Sequence, residues 1–525
     1  MKGSESADGE PLGGAPGRRD WLALLALLVV GVASTPLLWL NSYAPTLLSG
    51  GDGAIYIICA EKLLAGEGYT YLGQPFIIRP PGFSVFLMPM LMAFGRDYTV
   101  LTLAIWLSGI AGLGAIFWYL RPRLGRAIAA SVCVVLLLNP FFRHAANQIM
   151  SDVPSLAALF GCLLLERRGR ARPSLIADLT LGLAIAAATY LRSVHLLLLP
   201  ALVLSRTSAF LSARPGGVER GTLAQLPRHL IKRALPVIGV AFVLLLPWKL
   251  REDRVAPEGV AELTRLHSYS VALLHADPAD PDSPRIGMDV IAERFEKRSK
   301  DIAGTLGSRL LSDEPTPANA WRAIAAMACI AAVLALRRGA AEWFAFGTLF
   351  VISIYFGFMN RLMLPVFCIA VAALAEVSLR VFRLALPTRL GPLARSLTVA
   401  LLLSWAYIDF DNRADYLSTI EQDYATFLQA RDLVEANFGE DEVLSTSRSA
   451  HFCLELNRGV LNHTWPMGRL GEAGTLDFLE RHGVTGLVLH QNRRPDRRLT
   501  EALQGRLEIL GRAGPYTVAR IASTR

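Results

Sequence analysis

The sequence predicts a polytopic α-helical membrane protein that ends in a small α/β domain. Hydrophobic residues make up 53% of the chain against 18% charged, a balance outside the range of ordinary soluble globules. Residues 21–51 and 98–120 contain no charged side chain, and each is long enough to cross a ~30 Å hydrocarbon layer, which takes roughly 20 helical residues. Beyond residue 409 the long apolar runs give way to short ones separated by charge.

Further apolar runs cover 127–142, 153–165, 179–191, 193–205, 234–248, 323–336, 343–359, 362–375 and 396–408. Several are short for a span, but arginines at their ends can snorkel to the interface and lengthen them. The pattern predicts about eleven spans, the first over 21–41 and uncleaved. Residues 1–20, rich in Gly, Ser, Glu and Pro, read as a disordered cytoplasmic N-terminus.

The formal net charge of +9 does not signal nucleic-acid binding, because the basic residues crowd alternate connections: Arg18-Arg19, Arg121 to Arg126, Arg167 to Arg172, Arg206 to Arg233, Arg337-Arg338 and Arg380 to Arg395. If these face the cytoplasm, one alternation places Asp52, 143–152, Arg192, 251–318, Asn360-Arg361 and everything after 409 outside. Segment 82–95 then has to be interfacial or re-entrant. The expected layout is a transmembrane domain over 21–408, with outer loops 42–97, 143–152 and 251–318, and an extracytoplasmic domain over 409–525. The Ala/Leu/Arg-rich composition fits a bacterial plasma (inner) membrane.

In the last part, 442–445, 484–489 and 516–521 read as strands, and 422–437 and 472–482 as amphipathic helices. The six cysteines (59, 133, 162, 329, 368 and 453) show no CxxC spacing, which argues against a zinc site or a disulfide framework.

The polar residues on the outer side are the site candidates. Asp52 stands after Gly50-Gly51 at the start of a Gly/Pro-rich segment. It reads either as a helix cap or as a carboxylate in use at the membrane boundary, where an idle charge is unfavourable. Arg192 and Arg361 sit at outer span ends and read as snorkelling anchors or as phosphate ligands. Arg79 precedes the turn-forming Pro80-Pro81-Gly82. In the second outer loop, Asp152 reads as a cap before Val153-Pro154 or, with Asp52, as one of the oxygen ligands of a divalent ion. His144 reads as a hydrogen-bonding side chain, and Asp277 to Asp282 as a solvated turn lacking calcium-loop spacing.

The chain resembles GT-C membrane glycosyltransferases, the dolichyl-phosphate-mannose protein mannosyltransferase and aminoarabinose transferase group (glycosyltransferase family 39-like). The resemblance rests on Gly51-Asp52-Gly53-Ala54-Ile55-Tyr56, Ala60 to Tyr69, Pro80-Pro81-Gly82, Asn139-Pro140 through Pro154, Tyr190-Leu191-Arg192 and Asn360 to Pro365. It covers roughly residues 20–380. The mannosyltransferases' acidic pair is Asp52-Gly53 here, and the aromatic after their arginine is Leu362.

The resemblance implies transfer of a sugar from a polyprenyl-phosphate donor to a protein, glycolipid or cell-wall glycan acceptor, with inversion. Asp52 would be the general base, Arg361, Arg192 and Arg79 would bind donor phosphate, and Asp152, His144 and Tyr56 are candidates for the acceptor or a metal. No nucleotide-binding or metalloprotease motif competes. A transporter or flippase, or a non-catalytic glycolipid-binding protein, is the alternative. A transporter should show mid-membrane polar residues and internal repeats, and neither is evident.

Overall fold

The computed structural model describes residues 17–35, 51–211, 225–255, 268–278, 280, 282–311, 317–357, 360–411 and 416–522. A helical bundle carries at one end a five-stranded sheet. Each apolar run falls on a helix or a bent helix pair wherever it is described. The first helix begins at Arg18, three residues before the expected start, and is described as far as Ala33. The rest of that expected span lies outside the described residues.

Among the described helices four are long and apolar enough to cross a membrane: Tyr98–Leu124, Ser193–Leu211, Asn319–Arg337 and Met363–Ala385. Six qualify if each bent pair, Arg126–Leu138 with Pro140–Ala146 and Leu226–Arg233 with Leu235–Val255, counts as one span. The chain is thus built as a multi-pass membrane protein. Gly82–Phe94, Leu175–Leu191 and Ala340–Ile354 are apolar but shorter, Gly82–Phe94 having 13 residues.

Small residues bring the bundle helices close. Gly109 and Gly112 of the Tyr98–Leu124 helix face Val153 and Ala157, and a Cβ on Gly109 would meet Val153 Cγ1 at 2.9 Å. Gly82 lies against the backbone of Tyr190 and Leu191, where a Cβ would come within 2.5 Å of the Tyr190 carbonyl. This explains the glycine after Pro80-Pro81: it lets the Gly82–Phe94 helix dock on the residues that lead into Arg192.

The bundle's two ends differ in charge. At one end arginines pair with buried carboxylates. Arg121 bonds Asp20, Arg123 bonds Glu342 and Glu376, and Arg206 bonds Glu166 and Asp178. The other end holds Asp52, with Arg361 preceding the Met363–Ala385 helix. Glu376 lies about 20 Å further along that helix at ~1.5 Å per residue. The end with Asp52 also carries the sheet: Tyr98 Oη donates to Glu455 at 2.6 Å and Arg96 Nη1 to the Leu454 carbonyl at 2.7 Å.

Two expected outer loops are largely helical. Within 42–97, the described residues contain helices Asp52–Leu64 and Gly82–Phe94, joined through a small hairpin of β1 (Thr70–Tyr71) and β2 (Gln74–Pro75). The Asp52 helix forms because Ala54, Ile57 and Ala60 recur on one face and are fully buried. Within 251–318, Met288–Leu311 is a 24-residue helix. It buries Ile302, Leu306 and Leu310, a stripe too narrow to lift the hydropathy of a segment whose other face is charged. Segment 143–152 opens on the last turn of Pro140–Ala146, whose N-cap Asn139 accepts from the Phe141 amide at 2.9 Å.

The C-terminal sheet contains β3 (Val443–Thr446), β4 (Val460–Leu461), β5 (Val484–His490), β6 (Leu507–Ala513) and β7 (Tyr516–Ile521), in spatial order β4-β3-β5-β7-β6. The first three run parallel, and β7 is antiparallel to both β5 and β6. The expected 422–437 helix extends over Tyr416–Asn437, and the expected 472–482 helix is the second part of Thr464–Arg481, which breaks at Gly471 with φ 70°. Phe427, Val434 and Phe452 pack on one face of the sheet; Phe478, Leu479 and Leu499 pack on the other.

Gly82→Ala is expected to lower stability by roughly 1–3 kcal/mol through overpacking, read as a fall in the thermal unfolding midpoint in detergent. An unchanged midpoint would show that the two backbones separate freely.

Candidate active site

Asp52 is the first residue of its helix, and Gly51 is the N-cap. Gly51 holds φ at 98°, a left-handed conformation natural to glycine. The carboxylate does not cap. Its Oδ1 accepts from Arg79 Nη2 at 2.6 Å and its Oδ2 from Arg361 Nη2 at 2.6 Å. One carboxylate is therefore clamped between two guanidinium groups that lie 27 and 309 residues away in sequence.

The rest of the site is built outward from this clamp. The Arg79 guanidinium lies 5.5 Å from the Tyr56 ring centroid, and Tyr56 meets Phe83 edge-on at 4.8 Å. Ser84 Oγ donates to the Tyr56 carbonyl at 2.9 Å, so both flanking helices fix the ring beneath Arg79. The hairpin leading to Arg79 is held by Arg251, which donates to the Phe76 and Tyr69 carbonyls. Arg361 also reaches Met150 Sδ at 3.3 Å through Nη1.

Asp152 begins the Asp152–Ala171 helix after N-cap Ser151, and its Oδ1 pairs with Arg192 Nη1 at 2.6 Å. The contact is an ion pair without hydrogen-bond geometry. Arg361 feels both Asp52 and Asp152, so Arg79, Asp52, Arg361, Asp152 and Arg192 form a row of alternating charges. His144 contacts Gln148 and faces Asp152, Arg361 and Arg309.

All seven residues singled out from sequence thus fall in one connected patch, but not in the partnerships expected. Arg192 answers a carboxylate, and Asp52 and Asp152 are each held by guanidinium groups. Among the described residues no group of three or more His, Cys, Asp and Glu gathers where it could hold a metal ion.

Burial alone would raise the Asp52 carboxyl, but Arg79 and Arg361 outweigh it and hold Asp52 below the usual carboxylate range. Tyr56 moves the other way, pushed by burial up to about 12. At neutral pH the clamp holds an ionised carboxylate beside a neutral phenol.

Sequence reasoning missed Arg309 and Tyr269. Arg309 comes from the Met288–Leu311 helix and stacks on Phe141 at 5.1 Å. That helix is tied to the turn before Arg361, since Arg298 Nη2 donates to the Phe356 carbonyl at 2.7 Å. Tyr269 lies against Arg79. The signal for Arg309 was the i, i+4, i+8 spacing of Ile302, Leu306 and Leu310.

A hydroxyl–imidazole–carboxylate row also occurs in the sheet domain, where Ser445 Oγ lies 3.1 Å from His463 Nδ1 and His463 Nε2 lies 2.6 Å from Asp496 Oδ1. Ser445 and His463 are fully buried and Asp496 nearly so. No substrate reaches that serine, and the row clamps β3 to the two helices that follow β4 and β5.

Solved membrane proteins share this architecture. ArnT from Cupriavidus metallidurans in the apo state aligns with a TM-score of 0.57 and 15% identity, covering 96% of this chain and 100% of that one. The same protein bound to undecaprenyl phosphate gives 0.55 and 14%, covering 97% and 99%. The archaeal oligosaccharyltransferase AglB from Archaeoglobus fulgidus, in complex with an inhibitory peptide and a dolichol-phosphate, gives 0.54 and 11%, covering 90% and 70%. The chain has the GT-C fold of these proteins, as the sequence resemblance implied. No family model matches the chain, and no curated protein matches it.

Because its folded pKa lies below the unfolded one, Asp52 contributes stability fully above about pH 4 and loses it as pH falls through the depressed value. Asp52→Asn leaves two partly buried guanidiniums without their counter-charge. It is expected to lower neutral-pH stability by roughly 1–3 kcal/mol, less than for a fully buried pair because solvent screens Arg361, and to flatten the acid dependence below about pH 4, both read from unfolding midpoints across pH. Equal midpoints at pH 7 would show that other groups neutralise the arginines.

Proposed function

We propose that the chain is a membrane glycosyltransferase that moves a sugar from a polyprenyl-phosphate donor to an acceptor hydroxyl or amine on the outer face of a plasma (inner) membrane. The observation that carries this reading is the Asp52 carboxylate held between Arg79 and Arg361, in a chain with the GT-C fold. The lipid phosphates named with ArnT and AglB support a lipid-linked donor. In this reading the N-terminus is cytoplasmic, and the end with Asp52 and the sheet domain is extracytoplasmic.

The arginines suit a departing phosphate because a guanidinium stays charged and offers paired N–H donors. The acceptor oxygen or nitrogen attacks the anomeric carbon opposite the phosphate, its proton passes to Asp52, and the sugar–phosphate bond breaks to release polyprenyl phosphate. The product has the inverted configuration.

Clamped by two cations, Asp52 is a weak base at rest. A donor phosphate drawn to Arg79 and Arg361 neutralises the groups that depress its pKa, while burial continues to raise it. Donor binding therefore increases the carboxylate's basicity, so acceptor deprotonation follows donor capture.

The test is transfer from radiolabelled polyprenyl-phosphate sugars in liposomes, at a temperature where every variant is folded. Asp52→Asn should lower kcat by 10²-fold or more, in line with loss of a general base. Arg361→Gln should act mainly on donor KM. Wild-type rates in Asp52→Asn would remove Asp52 from the chemistry.

A further inference from the structure

The sheet domain carries a cationic corner that the Asp52 site does not use. In the order β4-β3-β5 the chain leaves β3 on one side and returns past it to β5. In open parallel sheets such a reversal opens a crevice at the carboxyl ends of the strands, and ligands bind there. The residues leaving the strands at this point are Arg448, just beyond β3, and Arg493, just beyond β5.

Each arginine is the N-cap of the helix that follows, Ser449–Leu456 and Arg494–Ala502, and neither makes a side-chain capping hydrogen bond. A guanidinium has no acceptor atom, so it cannot do what Ser, Thr, Asp or Asn does there. It also adds positive charge to the positive end of the helix dipole.

The two arginines are close to one another. Arg493 Nη1 reaches the carbonyl of Ser447, the residue before Arg448, at 3.5 Å. Burial and then Arg448 hold Arg493 below its ordinary range. Among the described residues neither arginine forms an ion pair. The nearby Asp496 is occupied, accepting from Ser447 Oγ and the His490 amide at 2.7 Å each and facing His463 Nε2 at 2.6 Å. The other carboxylate facing this corner is the exposed Asp423.

A second observation points to a missing oxygen ligand. The Arg448 guanidinium lies 5.7 Å from the Tyr516 ring centroid. Tyr516 is 1% exposed, and among the described residues its hydroxyl has no hydrogen-bond partner, nor does the buried Arg448 Nε. A buried polar group left unpaired is destabilising unless something else bonds it.

We propose that this corner is a second anion site, built for a phosphate group held by Arg448, Arg493 and the amino ends of their two helices. Planar guanidinium forks and helix amino ends both match phosphate oxygens. The site lies beside the Asp52 helix: a Cβ on Gly51 would sit 3.4 Å from Ala450 Cβ and from the His451 ring.

The test titrates inorganic phosphate into the full-length protein in nonionic detergent, at constant ionic strength, by calorimetry. Wild type and Arg79→Gln/Arg361→Gln should bind at this site alike, and Arg448→Gln/Arg493→Gln at least tenfold more weakly. Arg493→Gln alone, which removes one long backbone contact, serves if the double variant does not fold. Phosphatidylglycerol nanodiscs form the second arm: a wild-type thermal shift lost in Arg448→Gln/Arg493→Gln assigns the phosphate to a lipid headgroup, and its absence with phosphate binding retained assigns it to a soluble group. Binding of both probes unchanged by the Arg448 and Arg493 substitutions would overturn the proposal, whatever the outcome of the transfer assay.

Discussion

The arrangement at the mouth of the bundle depends on one carboxylate answering two partly buried guanidiniums. Asp52 begins a short helix, Arg79 ends a hairpin, and Arg361 precedes a long bundle helix. The Asp52 helix and the hairpin already share a buried apolar cluster of Cys59, Tyr69, Tyr71, Phe76 and Ile78, and the clamp ties Arg361 to that packed unit by charge. Gly82 lets its helix approach the Tyr190 and Leu191 backbone closely enough for this, and Tyr56 and Phe83 wall the clamp on one side. An assembly of three or more charges in a partly dry setting is rigid only while every member is present.

Charge of the same kind serves a different end at the far side of the bundle. There Glu166, Asp178, Glu342 and Glu376 are buried and each bonds one or more arginines. These pairs join helices distant in sequence, such as Tyr98–Leu124 and Met363–Ala385. Much of the positive charge used to orient the chain is therefore internal and neutralised. The alternation of basic connections remains, but its arginines are structural members as well as orientation signals.

The helices of the bundle were legible because a continuous apolar run survives averaging. The Met288–Leu311 helix was not, because its buried stripe of Ile302, Leu306 and Leu310 is diluted by the charged residues between. Asp52, Arg79, Arg192 and Arg361 were recognisable as residues, each at a glycine, proline or span end. Their pairing was not: nothing local indicates that Arg361 reaches Asp52 while Arg192 takes Asp152. Arg448 and Arg493 carried no signal at all, since an arginine after a strand is unremarkable until the strand order places two of them at one crevice.

Gly51 faces Ala450 and the His451 ring, and its φ of 98° is a conformation that side-chain-bearing residues rarely adopt. The sheet domain is therefore not an interchangeable attachment. A chimaera carrying another protein's sheet domain would have to reproduce this contact together with the bonds that Arg96 and Tyr98 make to Leu454 and Glu455. Divergence of the sheet domain is constrained along the whole Ser449–Leu456 helix, which meets the bundle at each of these points.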